Sequence, residues 1–214
     1  MATLELILIR HGETDWNREK VFRGWRDVRI NKTGIAQADA TAEALRDKVF
    51  EAVYTSPLKR SVVTARRIAK PHGVDLRYKT GFMDINYGTW EGLTASKVEA
   101  SYPALYQKWL ENPGKVKFPG GESTRKAWKR VNSALREVLW THGTGTVVIV
   151  SHRVPLKLMT AYLLDRKLSS IGEVRHDPCA MSVFEVEHKR DHRMVVLNDS
   201  RHLSGLGPRE QEDF

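Results

Sequence analysis

Leu4-Glu5-Leu6-Ile7-Leu8-Ile9-Arg10-His11-Gly12-Glu13-Thr14 is the stretch that decides the fold of this chain. Leu4 to Ile9 is an apolar run of strand length, interrupted only by Glu5. A short run of this kind reads as a buried strand. It stops abruptly at Arg-His-Gly. The carboxyl ends of strands are where open α/β sheets bind ligands. An imidazole there can act as a nucleophile, and a neighbouring guanidinium can hold an anion. Packing alone would account for one strand-end histidine, but not for a second. Thr146-Val147-Val148-Ile149-Val150 is another apolar run, and it ends in Ser151-His152. Two imidazoles are therefore expected at one edge of one sheet.

Working outward, strands alternate with helices. The spacing predicts a helix near 34–48, capped by Thr33, with Ile35, Ala38, Ala42, Leu45 and Val49 inward. A strand follows at 52–55. Ser56-Pro57 then offers a cap and a proline at the first helical position, with Leu58, Val62, Ala65 and Ala69 as the buried stripe. Extended pieces are expected near 74–78 and 82–86, one or two short helices over 95–111 broken at Pro103, and a long helix over 123–141. That helix turns Trp128, Val131, Leu135 and Val138 inward, while Trp109 and Trp140 read as packing residues. A helix near 154–164 precedes hairpin strands near 181–187 and 194–198. The order implies an α/β protein, a three-layer α/β/α sandwich with a mostly parallel central sheet. Residues 1–200 read as a single domain with a lid-like insertion near 95–125, and 201–214 as a polar, loosely held tail.

The chain has 214 residues, of which 41% are hydrophobic and 29% charged, as in ordinary globular proteins. No apolar run approaches the ~20 residues that span a bilayer, so no membrane association is expected. The N-terminal run carries Glu5 and fits a strand better than a secretory signal. The single cysteine, Cys179, excludes an intramolecular disulfide and makes the cytoplasm the default compartment. The net charge is +9, but the basic residues are scattered and form no block. That pattern suits arginines gathered around a small anionic substrate better than a nucleic-acid surface. A homodimer stays open.

Arg60 follows the 52–55 strand at a helix start, a location that favours anions. A transferring phosphoryl group spreads charge over its equatorial oxygens, which arginines and imidazoles can stabilise without a metal. Gly12 would let the backbone approach an oxyanion closely. His176-Asp177-Pro178-Cys179 lacks a second ligand pair at metal-site spacing and reads as a loop, and 188–193 as a solvated charged turn.

These pieces resemble the histidine phosphatase superfamily, the phosphoglycerate mutase-like proteins. The matching segments run in order over nearly the whole chain. They are Arg10-His11-Gly12-Glu13-Thr14 with Asn17, Phe22-Arg23-Gly24, and Thr55-Ser56-Pro57-Leu58-Lys59-Arg60 with Thr64-Ala65. Asp84-Ile85-Asn86-Tyr87-Gly88-Thr89-Trp90-Glu91-Gly92, Pro119-Gly120-Gly121-Glu122-Ser123 and Val150-Ser151-His152 complete the set. The resemblance implies a metal-independent phosphomonoester hydrolase with no organic cofactor, acting on a small phosphorylated substrate. His11 would form a phosphohistidine, and Asp84 would protonate the leaving oxygen and then activate water. Arg10, Arg60, Asn17 and His152 would hold the phosphoryl oxygens.

Three positions depart from the pattern. Asp84 stands where this subgroup usually has glutamate, Arg153 where glycine commonly follows the second histidine, and Arg23 where relatives carry a smaller polar residue. Arg23 and Arg153 are therefore read as substrate-binding residues for a second anionic group. The rival activity is a cofactor-dependent phosphoglycerate mutase, suggested by Gly24-Trp25-Arg26-Asp27 but disfavoured by the short span between Gly92 and Gly120. A weakly catalytic phosphate-binding or regulatory protein is the alternative from another class, kept open by Asp84.

Overall fold

A computed structural model describes residues 3–187 and 191–206. The expected tail beyond 206, and residues 188–190 of the charged turn, lie outside the described residues. In chain order the elements are β1 (Leu4–Arg10), α1 (Asp15–Arg18), α2 (Lys32–Ala44), β2 (Phe50–Thr55), α3 (Lys59–Ala69) and β3 (Leu76–Tyr78). They continue with α4 (Ala95–Ser101), α5 (Pro103–Glu111), α6 (Thr124–Thr141), β4 (Gly145–Ser151), α7 (Arg153–Leu163), β5 (Met181–Glu187) and β6 (Asp191–Asp199).

The six strands form one sheet in the order β3-β2-β4-β1-β5-β6. β3, β2, β4 and β1 are mutually parallel, while β5 runs antiparallel to β1 and β6 antiparallel to β5. Alternation along β1 divides the core. Leu4, Leu6 and Leu8 pack with α6 and α7, and Ile7 and Ile9 pack with α2 and α3. Both faces of the sheet are covered, so the central strands are apolar at nearly every position. The three-layer expectation is met.

Residues 95–125 do not stand apart from this core. Tyr106, Trp109 and Phe118 join Phe22, Tyr87 and Trp90 in one buried aromatic cluster. Ring centroids lie 4.9 Å apart for Tyr87–Phe118 and 5.1 Å for Trp90–Phe118, in edge-to-face geometry.

Several local expectations are corrected. α2 starts earlier than expected, because Asn31 rather than Thr33 caps it by accepting from Gly34 N–H. It also ends earlier, and Val49 is left 87% exposed beyond it. Ser56-Pro57 precedes α3 without capping it: the helix begins at Lys59, and Ser56 Oγ accepts from Leu58 N–H. Val62 is only half-buried. Residues 83–86 form no strand. Trp140 is 72% exposed, because the buried stripe of α6 runs through Val131, Leu135 and Val138. Residues 201–206 are not loose. Arg201–Leu203 form a 3-10 turn, and Leu203 is buried with Ala38 and Cys179.

Candidate active site

Sheet register assembles the site. β1 and β4 are parallel neighbours with Arg10 opposite Ser151, so His11 and His152 leave the sheet side by side. β4 pairs on its other edge with β2, where Thr55 lies opposite Val150. Ser56 therefore emerges next to His152. α3 starts three residues later and carries Arg60 in its first turn over the same strand ends. Arg10, His11, Arg60 and His152 are all buried in one place.

The hydrogen bonds fix the protonation pattern. His11 Nδ1 lies 2.7 Å from the Gly12 carbonyl. A carbonyl only accepts, so Nδ1 carries the proton and Nε2 keeps its lone pair. The His152 ring lies 5.2 Å away, centroid to centroid. Its Nδ1 accepts from Arg60 Nε at 3.1 Å, so its proton sits on Nε2, 2.8 Å from Ser56 Oγ. Arg60 is wholly buried. It also donates to the carbonyls of Arg26 (2.8 Å) and Gly24 (2.7 Å), and its Nη2 is 3.3 Å from Asp84 Oδ2. One guanidinium thus ties α3 to the 24–26 loop, the second histidine and the candidate acid.

The remaining expected residues fall around this centre. Arg10 Nη1 donates to the His176 carbonyl at 2.9 Å. Asn17 Oδ1 accepts from both Thr14 N–H and Thr14 Oγ1, while its buried Nδ2 has no acceptor among the described residues. A buried donor in that state suits an anionic ligand. Arg23 is buried and close enough to bear electrostatically on both histidines. Asp84 is buried, and its carbonyl accepts from Trp25 Nε1 at 2.8 Å. Arg153 meets the Tyr87 hydroxyl and lines a cavity of about 150 Å³ with Lys157, Trp109, Leu110 and Ile171. Among the described residues no cluster of His, Cys, Asp and Glu is arranged to hold a metal ion.

Burial, then the charges of Arg60, Arg10 and Arg23, hold the His11 pKa well below its ordinary value. Burial and Arg60 do the same to His152. Both stay neutral at pH 7, as a nucleophile requires. His176, buried and near Lys157, is lowered to about 3. Between about 6.5 and about 3 the unfolded chain binds a proton at residue 176 that the folded chain refuses. Stability therefore rises with pH in that window and is lost as pH falls through it. Each such histidine contributes about 1.4 kcal/mol per pH unit. Urea midpoints should begin to fall just below pH 6.5, above the carboxylate range. Midpoints that stay flat down to pH 5 would refute this.

Gly12 corrects an expectation. Its N–H donates to Thr64 Oγ1 at 3.0 Å and does not face an oxyanion. Glycine is needed because a Cβ at position 12 would lie 2.4 Å from the Gly34 carbonyl oxygen. The reverse contact is as tight, since a Cβ on Gly34 would lie 2.2 Å from Glu13 O. Alanine in the first turn of α2 gains up to about 1 kcal/mol of helix propensity. Forcing the His11 turn away costs about 1–3 kcal/mol, so Gly34→Ala should destabilise and also slow turnover. Thermal melting and a phosphatase assay check both.

Sequence reading missed Ser56, His176, Glu122 and Arg130 as parts of the site. Ser56 and Glu122 lay inside quoted motifs and were legible there. His176 stands in a segment that reads as a loop once metal ligation is set aside, and Arg130 carried no local signal.

The chain is similar to known proteins over nearly its whole length. The pattern of the histidine phosphatase superfamily (branch 1) matches residues 6–200. Phosphoserine phosphatase 1 of Hydrogenobacter thermophilus is 35% identical over 200 residues, covering 94% of each chain. YhfR of Bacillus stearothermophilus superposes with a TM-score of 0.88 at 26% identity, over 94% of this chain and 99% of that one. A phosphoserine phosphatase variant from Entamoeba histolytica, in complex with phosphoserine, gives a TM-score of 0.82 at 28% identity, over 94% and 99%. With two strand-end histidines inside an arginine cage and a match over nearly its whole length, the chain belongs to the histidine phosphatase superfamily (branch 1).

Proposed function

We propose that this protein hydrolyses small phosphomonoesters through a phosphohistidine on His11. The observation that carries this reading is the His11 Nδ1 to Gly12 carbonyl contact, which leaves Nε2 as a neutral, unprotonated nucleophile beside Arg10, Arg23 and Arg60. Nε2 attacks phosphorus as the ester P–O bond breaks, and Asp84 gives its proton to the departing alkoxide. The Asp84 carboxylate then takes a proton from water, which attacks phosphorus. The P–N bond breaks, and inorganic phosphate leaves. Arg10, Arg60 and Asn17 hold the equatorial oxygens, with the His152 N–H shared between Ser56 and the phosphoryl group. Hydrolysis rather than mutase transfer is supported by the phosphatase relatives. A rapid acid-free quench in the presence of chelator should trap a base-stable phosphoenzyme that is absent from His11→Ala. Isomerised phosphate in place of free phosphate would overturn the hydrolase reading.

The preferred substrate is a compact phosphomonoester with a second anionic group. Two buried arginines support this reading: Arg23 bears electrostatically on both histidines, and Arg153 meets the Tyr87 hydroxyl. Phosphoserine is the first compound to test, since relatives are named for it. Arg23→Ala should raise KM for phosphoserine on the order of 10-fold, as for a lost charged hydrogen bond, and leave KM for phenyl phosphate nearly unchanged. Equal effects on both substrates would exclude the assignment.

A further inference from the structure

We propose that Arg130 and Glu122 form a positioning pair that fixes the backbone of the acid segment, so that the short Asp84 side chain reaches the phosphoryl group. The proposal rests on Asp84 being the proton donor. Residues 83–86 have no strand partner, so their carbonyls need other donors. Arg130, on α6, supplies those of Met83 and Asp84 and reaches Gly81 as well. Its Nη1 donates to the carbonyls of Gly81 and Met83, each at 2.9 Å, and its Nη2 to the Asp84 carbonyl at 3.1 Å. Nη2 also pairs with Glu122 Oε1 at 2.6 Å. That carboxylate accepts from Asn86 N–H at 3.0 Å, and Glu122 N–H donates to the Asn86 carbonyl at 3.0 Å.

The segment is thus held at three carbonyls by one planar fork and at its far end by the partner of that fork. The Asp84 carbonyl also accepts from Trp25 Nε1 at 2.8 Å. A lysine is a point charge and cannot span three carbonyls. Aspartate is one methylene shorter than glutamate, so its reach depends more on where its backbone sits. A misplacement of about 1 Å costs on the order of 100-fold.

A displaced proton donor has a particular kinetic signature. An alkyl alkoxide cannot depart without a proton, whereas p-nitrophenolate can. Single-turnover phosphorylation of the enzyme should therefore be measured with phosphoserine and with p-nitrophenyl phosphate, alongside inhibition by inorganic phosphate. For Arg130→Met the expected result is a loss of about 100-fold with phosphoserine. The loss with p-nitrophenyl phosphate should be under about threefold, with phosphate inhibition unchanged. Arg130→Lys and Glu122→Gln should show the same pattern at about 10-fold and keep the proposal testable if Arg130→Met does not fold. Equal losses on both esters, or full activity in the folded variants, would overturn it. Asp84→Asn is the reference. If it lacks the ester-dependent pattern, the donor assignment falls. If it shows the pattern and the Arg130 variants do not, only the clamp falls.

Discussion

His11→Ala removes turnover by a factor on the order of 10⁴ or more, because no other group in the site replaces a lost covalent nucleophile. The second histidine cannot take over. Its Nδ1 lone pair is taken by Arg60 and its Nε2 carries the proton, so no free lone pair is left to attack phosphorus. The fold survives the change. Among the described residues His11 makes one side-chain hydrogen bond, to Gly12, and burial already favours its neutral ring. The expected pattern is abolished phosphate release with a cooperative melt close to that of the parent. The arginine cage remains, so inorganic phosphate should still bind. Retained turnover in this variant would remove the phosphohistidine from the mechanism.

Arg60 is the second large effect, and there activity and stability fall together. Arg60→Met leaves the buried Gly24 carbonyl and His152 Nδ1 without their donor, while the Arg26 carbonyl keeps Val28 N–H. Stranding two buried acceptors costs about 2–5 kcal/mol in sum. Loss of the guanidinium from the phosphoryl cage lowers kcat/KM by about 10³-fold. Arg60→Lys restores a charge but not the fork, and should recover stability only in part.

A third readout identifies the cause. Arg60 is the leading charge that depresses both histidines. Without it their imidazolium forms become easier to make, so the acid limb of kcat/KM moves up toward the ordinary histidine range near 6.5. An acid limb that stays in place would mean that burial alone sets the histidine protonation.

The central strands were legible because they are buried on both faces, which leaves an unbroken apolar run at Leu6–Ile9 and at Val147–Val150. Their strand-end histidines were legible for the same reason, since a polar pair after such a run has few explanations in packing. The limits of α2 were less so. Val49 continued the apolar period by chance, and the helix had already ended because tertiary packing of Leu45 and Phe50 closes that layer. Trp140 misled through its type: a large aromatic at helical spacing reads as core, yet its position on α6 faces outward. Gly12 was assigned to the substrate when its constraint is the backbone of Gly34, a contact between segments that no local pattern records.

The sequence by itself determined the layered α/β architecture, the two histidines at one sheet edge, and the arginines that accompany them. Periodicity and strand-end chemistry are local properties and survive in one dimension. Only the tertiary structure decided which nitrogen of each histidine carries the proton, that Arg60 joins four separate segments, and that Arg130 grips the acid segment from α6. Those features depend on distances between residues far apart in the chain. Such distances are set by how helices settle on the sheet, so no stretch of the sequence contains them.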